Sequence, residues 1–372
     1  MDQICHITNI HDWNDTRIFY KECCSLADAG YQVSLVAPNA AEGIHNGVSV
    51  LSVTRKSKSR IYRASFLAWA VMRKALTTKA KIIHFHDPEL IWVGLILRLF
   101  YRKTIIFDVH ENLTAQIQDK QWLKFKRLIA WLYGHMERFA SRYFHIVIAE
   151  ESYRYLFEKQ AKSLTPVFNF PEVEKLQQFS LDNRSDQNGI LYVGVVSEIR
   201  GIIQIIQALG ILKRKNIPFV FHCVGPIEEG IMPKLEAMDV YEDVKENIIF
   251  YGRKPLFEAY QLASQSKMAL SLLHPTPNYI RSYSTKIFEY MAIGLPFVVS
   301  DFPLYNFVKE REIGACVNPF DDEKIAEIFE YLLSDDPEIN HQIERARYAV
   351  KNDFSWESQR EKLLGLYTSI AK

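Results

Sequence analysis

MALSLLHPTPNYIRSYSTKIFEYMAIGLPFVVS, Met268–Ser300, holds in one stretch the pattern that sets the fold. Met268–Leu273 and Pro296–Ser300 are short apolar runs with strand chemistry, and a helical pattern over 284–293 lies between them. A strand, a helix and a second strand in that order predict a parallel pair with the helix packed on one face. Outward from this unit the same alternation recurs. Downstream of residue 189 the strand candidates are Ile190–Val196, Phe219–Val224 and Ile248–Tyr251, with helices at 201–214, 229–238, 255–265 and 303–311. Three closing helices are predicted at 321–334, 337–351 and 356–370. Upstream, Ile4–Ile7, Val33–Ala37, Val48–Val53, Ile82–Phe85, Thr104–Val109 and Ile146–Ala149 read as strands. Helical patterns at Arg17–Ala29, Ile61–Thr77, Leu90–Tyr101 and Trp122–Phe144 separate most of them. The alternation fades at Pro166–Pro171 and in the polar segment Ser180–Asn188, the expected linker.

The reading is therefore α/β: two successive doubly wound, Rossmann-like domains of parallel sheet, at 1–178 and 189–353. Ligands in such sheets collect at the carboxyl ends of the strands, so the expected site is a cleft between the two sets of strand ends. No G-x-G-x-x-G follows the first strand and no G-x-x-x-x-G-K-[ST] occurs in the 372 residues. Their absence argues against a standard dehydrogenase and a P-loop nucleotidase.

Composition narrows the class further. A content of 48% hydrophobic and 24% charged residues is that of a globular chain able to bury large cores, which excludes a disordered or low-complexity protein. The net charge of +1 conceals an asymmetry: residues 1–175 carry 24 Lys/Arg against 17 Asp/Glu, and the remainder 21 against 27. Between Arg55 and Lys81 lie nine basic residues and no acid. Five cysteines with no C-x-x-C spacing read as reduced thiols of a cytoplasmic protein. The longest apolar stretch, Leu90–Phe100, falls short of the roughly 20 residues that cross a bilayer. The opening residues show no basic and apolar leader pattern.

The chemistry concentrates at Ser284–Pro296. Ser284 and Thr285 are N-cap types, and a helix amino end offers unpaired N–H groups and a positive dipole to a diphosphate. Lys286 stands in the first turn, opposed to the dipole unless an anion is present. Glu289, one turn on, can accept two hydrogen bonds from ribose hydroxyls. An ordinary surface helix is the rival reading.

This segment resembles the donor-binding signature of the family-four retaining glycosyltransferases of the GT-B fold, in a bacterial surface-polysaccharide branch. The resemblance extends through Tyr192–Gly201 (YVGVVSEIRG), Asp15–Asn39, His84–Leu90 (HFHDPEL) and Phe107–Asn112 (FDVHEN) to Phe354-Ser355-Trp356. It implies a hexosyltransferase-like enzyme in which Glu289 contacts the nucleotide ribose and Arg200 clamps the diphosphate. Gly194, Arg253, Arg281, Ser284, Thr285 and Lys286 complete the donor side. It implies catalytic parts for His110, Arg200, Lys286 and Glu289, with His110 nearest the sugar. Asp15, Arg17, His86 and Asp87 would meet the acceptor, and the segment 354–372 would return to the N-terminal domain. The chain departs from the family pattern in three places. Arg281 replaces a second Glu eight residues before Glu289, Val195 replaces an Arg, and Asn14-Asp15 replaces a Gly-Gly.

The same resemblance implies transfer of sugar from a nucleotide-diphosphate sugar, UDP ahead of GDP, to a glycan or lipid-linked saccharide, as in lipopolysaccharide or capsule synthesis. No cofactor and no metal are expected, nor nucleic acid, since no recognition motif accompanies the basic residues. The stretch Arg55–Lys81, with Tyr62, Phe66, Leu67, Trp69 and Val71, is a candidate for peripheral contact with the inner face of an anionic membrane, against the rival of a helix that covers the first sheet. Three other readings stay open. They are a nucleotide-sugar epimerase, a non-catalytic sugar-nucleotide-binding protein of the same fold, and a metal-dependent hydrolase using His84 and His86.

Overall fold

The computed structural model describes residues 3–110, 113, 117, 125–180, 185 and 187–370. Residues 122–124 of the helix expected at Trp122–Phe144, Glu111 and Asn112 of the FDVHEN motif, and 181–184 and 186 of the expected linker lie outside the described residues.

Among the described residues, fourteen strands form two sheets. The first contains β1 (Gln3–Ile7), β2 (Gln32–Pro38), β3 (Gly43–His45), β4 (Val48–Val53), β5 (Ile82–Phe85), β6 (Thr104–Val109), β7 (His145–Ile148) and β8 (Ser163–Pro166). Their order is β3-β4-β2-β1-β5-β6-β7-β8, parallel except where β3 pairs antiparallel with β4. The second contains β9 (Gly189–Val193), β10 (Val220–Val224), β11 (Ile248–Gly252), β12 (Ser266–Ser271), β13 (Phe297–Ser300) and β14 (Ala315–Val317), all parallel, in the order β11-β10-β9-β12-β13-β14. The expected strands are all present. The three that sequence reading passed over, β3, β8 and β14, are edge strands of three or four residues, too short for a period of two to register.

The helices that shape the two sites and their cores are α1 (Thr16–Cys23, π-wound), α2 (Ala68–Thr77), α3 (Ile91–Leu99), α4 (Lys126–Ser141), α5 (Ile202–Arg214), α6 (Thr285–Ile293), α7 (Asp322–Leu333), α8 (Pro337–Asp353) and α9 (Trp356–Ile370). The chain forms two compact units: Met1–Asn169 with Trp356–Lys372, and Phe170–Ser355. The division falls between Asn169 and Phe170, upstream of the polar segment, because Phe170 packs on Phe288 and Phe354 of the second unit. In α9, Trp356, Leu363, Leu366 and Tyr367 join the core beneath β1, β2, β5 and β6, and the Trp356 indole N–H donates to Ser25 Oγ at 3.1 Å.

Each sheet has one place where the chain order reverses. In the first unit it lies between β1 and β5, and in the second between β9 and β12. Successive connections leave such a point in opposite directions, which opens a crevice at the strand ends where ligands are bound. Both candidate sites occupy these two points.

Candidate functional site

In the second unit a pocket of about 320 Å³ opens at the β9–β12 reversal. Tyr192 and Val193 from β9, Leu270 and Ser271 from β12, and Ser284, Thr285 and Lys286 at the start of α6 line it, together with Arg200. Glycines make this convergence possible. Gly201 takes φ +75°, and a Cβ there would stand 2.6 Å from Leu272 O, so only glycine lets α5 begin against the end of β12. Likewise a Cβ on Gly225 would sit 1.7 Å from Gly194 O, which keeps the two strand ends in contact. Arg200 leaves the turn before Gly201 and lies 5.9 Å from the Tyr279 ring centroid.

The α6 terminus carries more internal bonding than its sequence suggests. The Ser284 N–H donates to Tyr305 Oη at 2.8 Å, and Ser284 Oγ lies 2.8 Å from Ser271 Oγ. Ser284 is the N-cap residue, but its side chain does not cap the helix. Lys286 bridges to Glu289 at 2.7 Å, which answers the unfavourable charge at the helix start with a carboxylate on the same face. Glu289 is buried and accepts a hydrogen bond from the Tyr260 hydroxyl. Thus Arg200, Ser284, Thr285 and Lys286 line one pocket, Glu289 is tied to it through Lys286, and Gly194 lies against the Arg200 side chain. Arg253 and Arg281 are exposed and do not line the pocket.

The first unit gathers its polar residues at the β1–β5 reversal. Asp108, on β6, is fully buried and accepts from Arg17 Nε and Nη2, both at 2.9 Å. His110 Nε2 stands 2.5 Å and His86 Nδ1 3.3 Å from the same carboxylate. Burial alone would push Asp108 up, but the Arg17 charge and then His110 outweigh it, so this carboxyl is held well below its usual range. Glu22 shares Arg17 at 3.1 Å, and burial together with the Asp108 charge drives it well above the usual carboxylate range. Asp15 caps α1 by accepting from the Arg17 and Ile18 amides, both at 2.9 Å. Although burial opposes it, hydrogen bonds from His11 and those amides hold Asp15 below its usual value.

Asp87 accepts from Thr8 Oγ1 at 2.6 Å and the Asn9 amide at 2.7 Å, and so fixes the loop after β1. Asp87, like His86, is 1% exposed. Arg17 is 5% exposed and committed to two carboxylates. Of the first-unit candidates, His110 and Asp15 present side-chain surface to solvent, with His11 beside them. Arg17, His86 and Asp87, expected to meet the acceptor, are thus buried and bonded within the first unit.

Two family models divide this chain between them: "Glycosyl transferases group 1" matches residues 173–349 and "Glycosyltransferase Family 4" matches 17–153. The chain belongs to the group 1 glycosyltransferases. An uncharacterized glycosyltransferase of Methanocaldococcus jannaschii is 23% identical, covering 87% of this chain and 85% of the relative. Sucrose-phosphate synthase of Thermosynechococcus elongatus superposes with a TM-score of 0.69 at 18% identity, over 100% of this chain and 99% of that one. Anabaena HepE in complex with UDP and glucose gives 0.68 at 13% identity, over 99% and 100%. At such identities the solved structures establish the fold, two parallel-sheet α/β units of GT-B type.

The group 1 glycosyltransferase match contains the whole β9–β12 pocket, and the family-four match contains the Arg17–Asp108 network. Several residues of both places escaped sequence reading. Asn278, Tyr279 and Ser282 line the pocket from an irregular loop that carries no periodicity. Asp108 was legible in principle: it lies two residues before His110, a spacing that puts both side chains on one face of an extended chain. Glu22, His6 and Tyr367 gave no such signal, since helix α1 and the far end of the chain bring them in.

Proposed function

We propose that this glycosyltransferase takes a nucleotide-diphosphate sugar, a UDP-sugar before a GDP-sugar, and transfers the sugar with retention of configuration. The acceptor is a glycan or lipid-linked saccharide in bacterial cell-surface polysaccharide synthesis. The observation that carries the reading is the convergence of Arg200, Lys286 and the α6 amino end on one pocket at a topological switch point. Positive charge, helix dipole and a small polar pocket together suit a diphosphate. The Anabaena relative of this fold holds UDP and glucose.

In this reading the acceptor oxygen bonds to the sugar's anomeric carbon on the face from which the nucleotide leaves. The carbon–oxygen bond to the diphosphate breaks, and the acceptor proton passes to an oxygen of the departing phosphate. Arg200 and Lys286 offset the charge that grows there, without a metal at the pocket. His110 hydrogen-bonds the sugar. The hydrolase reading is not favoured, because His84 and His86 are both buried out of reach of a substrate. A panel of UDP- and GDP-sugars tests the assignment. One donor should protect the protein against heating and be slowly hydrolysed, then be consumed stoichiometrically with product once acceptor is added. A panel in which no donor protects or turns over refutes it, and a donor converted to its epimer points to the epimerase.

The first unit also rests on an anionic bilayer in this proposal. Phe66 and Trp69 are 73% and 49% exposed, and Leu128 and Trp131 on α4 are 55% and 57% exposed, beside Lys126 and Arg127. Leu67 and Val71 face the core, so the Arg55–Lys81 segment covers the sheet and exposes aromatics at once. Its charge is less available than composition suggests, since Arg60 and Arg63 bond to Glu89 and Lys74 to Glu42. Among the described residues no helix is long and apolar enough to cross a membrane. Flotation with anionic vesicles should carry the protein upward at low salt and release it at high salt; absence of binding at low salt ends the membrane proposal.

A further inference from the structure

Beneath the Arg17–Asp108 pair, three imidazoles and a carboxylate meet where solvent does not reach. His6 on β1, His84 on β5, His86 just after β5 and Glu22 on α1 are all buried, and one ligating atom from each lies within 4.8 Å of the others. The ring centroids form a near-regular triangle, with His6–His84 at 4.4 Å, His84–His86 at 4.7 Å and His6–His86 at 5.2 Å. His6 Nδ1 lies 3.0 Å from His86 Nε2, and Glu22 Oε2 lies 3.9 Å from both His6 Nδ1 and His84 Nδ1. Two ligands of a tetrahedral ion, each about 2.0–2.1 Å from it, stand roughly 3.3 Å apart. The observed separations bracket that value.

A second observation points into the same space. Glu22 is fully buried, yet neither of its oxygens accepts a hydrogen bond. Its Oε1 has the ion pair with Arg17, a cation already bonded twice to Asp108, and its Oε2 is directed at the imidazoles. A buried carboxylate so placed is completed by a cation or by a proton. The outer partners favour a cation. His86 Nδ1 faces Asp108 at 3.3 Å and His6 Nε2 faces the Tyr367 hydroxyl at 3.1 Å, so these two rings have a partner on the nitrogen turned away from the cluster, while His84 Nδ1 lies 2.8 Å from the same hydroxyl, a bond that an ion would replace. Metal-ligating imidazoles are held in this way, with the far nitrogen fixed by a carboxylate or a polar oxygen.

We propose that His6, Glu22, His84 and His86 form a structural site for one divalent ion of the zinc class. Three imidazoles and one carboxylate are a closed, four-coordinate donor set suited to such an ion. The ion joins β1, β5 and α1 and, through Tyr367, seats the last helix. It has no open position for substrate, which separates it from the hydrolase reading of the same H-x-H pair. The site is independent of the donor pocket, whose residues lie in the second unit.

Elemental analysis of the purified full chain, followed by replacement of the ion with Co²⁺, tests the proposal. About one ion per chain and a tetrahedral Co²⁺ spectrum are expected, with both lost in His84→Gln and in Glu22→Gln. Stripping with a chelator should lower the melting temperature, and Zn²⁺ should restore it. Should either variant fail to fold, X-ray absorption on the wild-type protein decides, by reading three nitrogen ligands and one oxygen at the metal edge. The idea is overturned if wild-type protein offered Zn²⁺ or Co²⁺ takes up none, or if the ion it takes up has a sulfur-containing or six-oxygen shell. It also fails if folded Glu22→Gln keeps full metal content, since a proton then fills the place at Glu22.

Discussion

Replacing Arg200 with alanine should lower turnover of the donor about 10²–10³-fold, and Glu289→Ala should do the same, with the fold intact in both. Arg200 is one of two cationic side chains among the described residues that line the β9–β12 pocket, the other being Lys286. A guanidinium there is worth most when charge collects on the departing diphosphate, so its loss should fall mainly on kcat. Glu289 needs a control, because the Tyr260 hydroxyl, on a buried ring, donates to it and Lys286 bridges to it at 2.7 Å. Truncation strands that hydroxyl, at a cost of about 1–3 kcal/mol in stability. Tyr260→Phe removes the same hydrogen bond and leaves the carboxylate. If the carboxylate acts on the nucleotide, Tyr260→Phe keeps most of the activity while Glu289→Ala loses it at unchanged temperature of measurement. Equal losses in both variants would make Glu289 a packing group. Near wild-type turnover in Arg200→Ala and Glu289→Ala together would sink the donor-site assignment.

The contrast between the two units shows what a sequence can convey. The β9–β12 pocket was legible because its parts carry local marks: Arg200 stands before the glycine that starts α5, and Ser284, Thr285, Lys286 and Glu289 share the first turns of α6. Helix caps and strand ends are local features, and local features survive in one dimension. The Arg17–Asp108 network is not local. It joins α1 to β6 across 91 positions, and Tyr367 reaches His6 across 361. Arg17 reads as a ligand-facing loop residue because its sequence neighbours Asn14, Asp15 and Thr16 are polar, whereas its partners are Asp108 on β6 and Glu22 farther along the same helix. Asp87 is a similar case: a carboxylate at a strand end reads as a ligand group, and its bonds to the loop after β1 come from residues 78 and 79 positions away. The pattern of apolar residues located every long strand, but buried polar partners obey no period.

Arg17 accordingly supplies the second large effect, on stability. Arg17→Met should destabilise the protein by about 3–5 kcal/mol, because it leaves Asp108 and Glu22 buried without their shared cation. Of the two, Asp108 suffers more: it is the carboxyl held ionised, and it loses both of its 2.9 Å bonds to the guanidinium. Adding Asp108→Asn to Arg17→Met should therefore return part of the loss, since a neutral amide no longer requires the cation. Urea denaturation followed by probes in each unit measures the effect, and the loss should appear in the first unit. Additive costs in the double variant would show that the two side chains are not coupled. The same residue separates structure from acceptor binding. Arg17→Lys keeps the charge but cannot bond Asp108 in fork geometry, so a positioning role predicts an intermediate loss of stability. An acceptor contact predicts instead a raised KM for acceptor at unchanged stability, an outcome that the 5% exposure of Arg17 argues against.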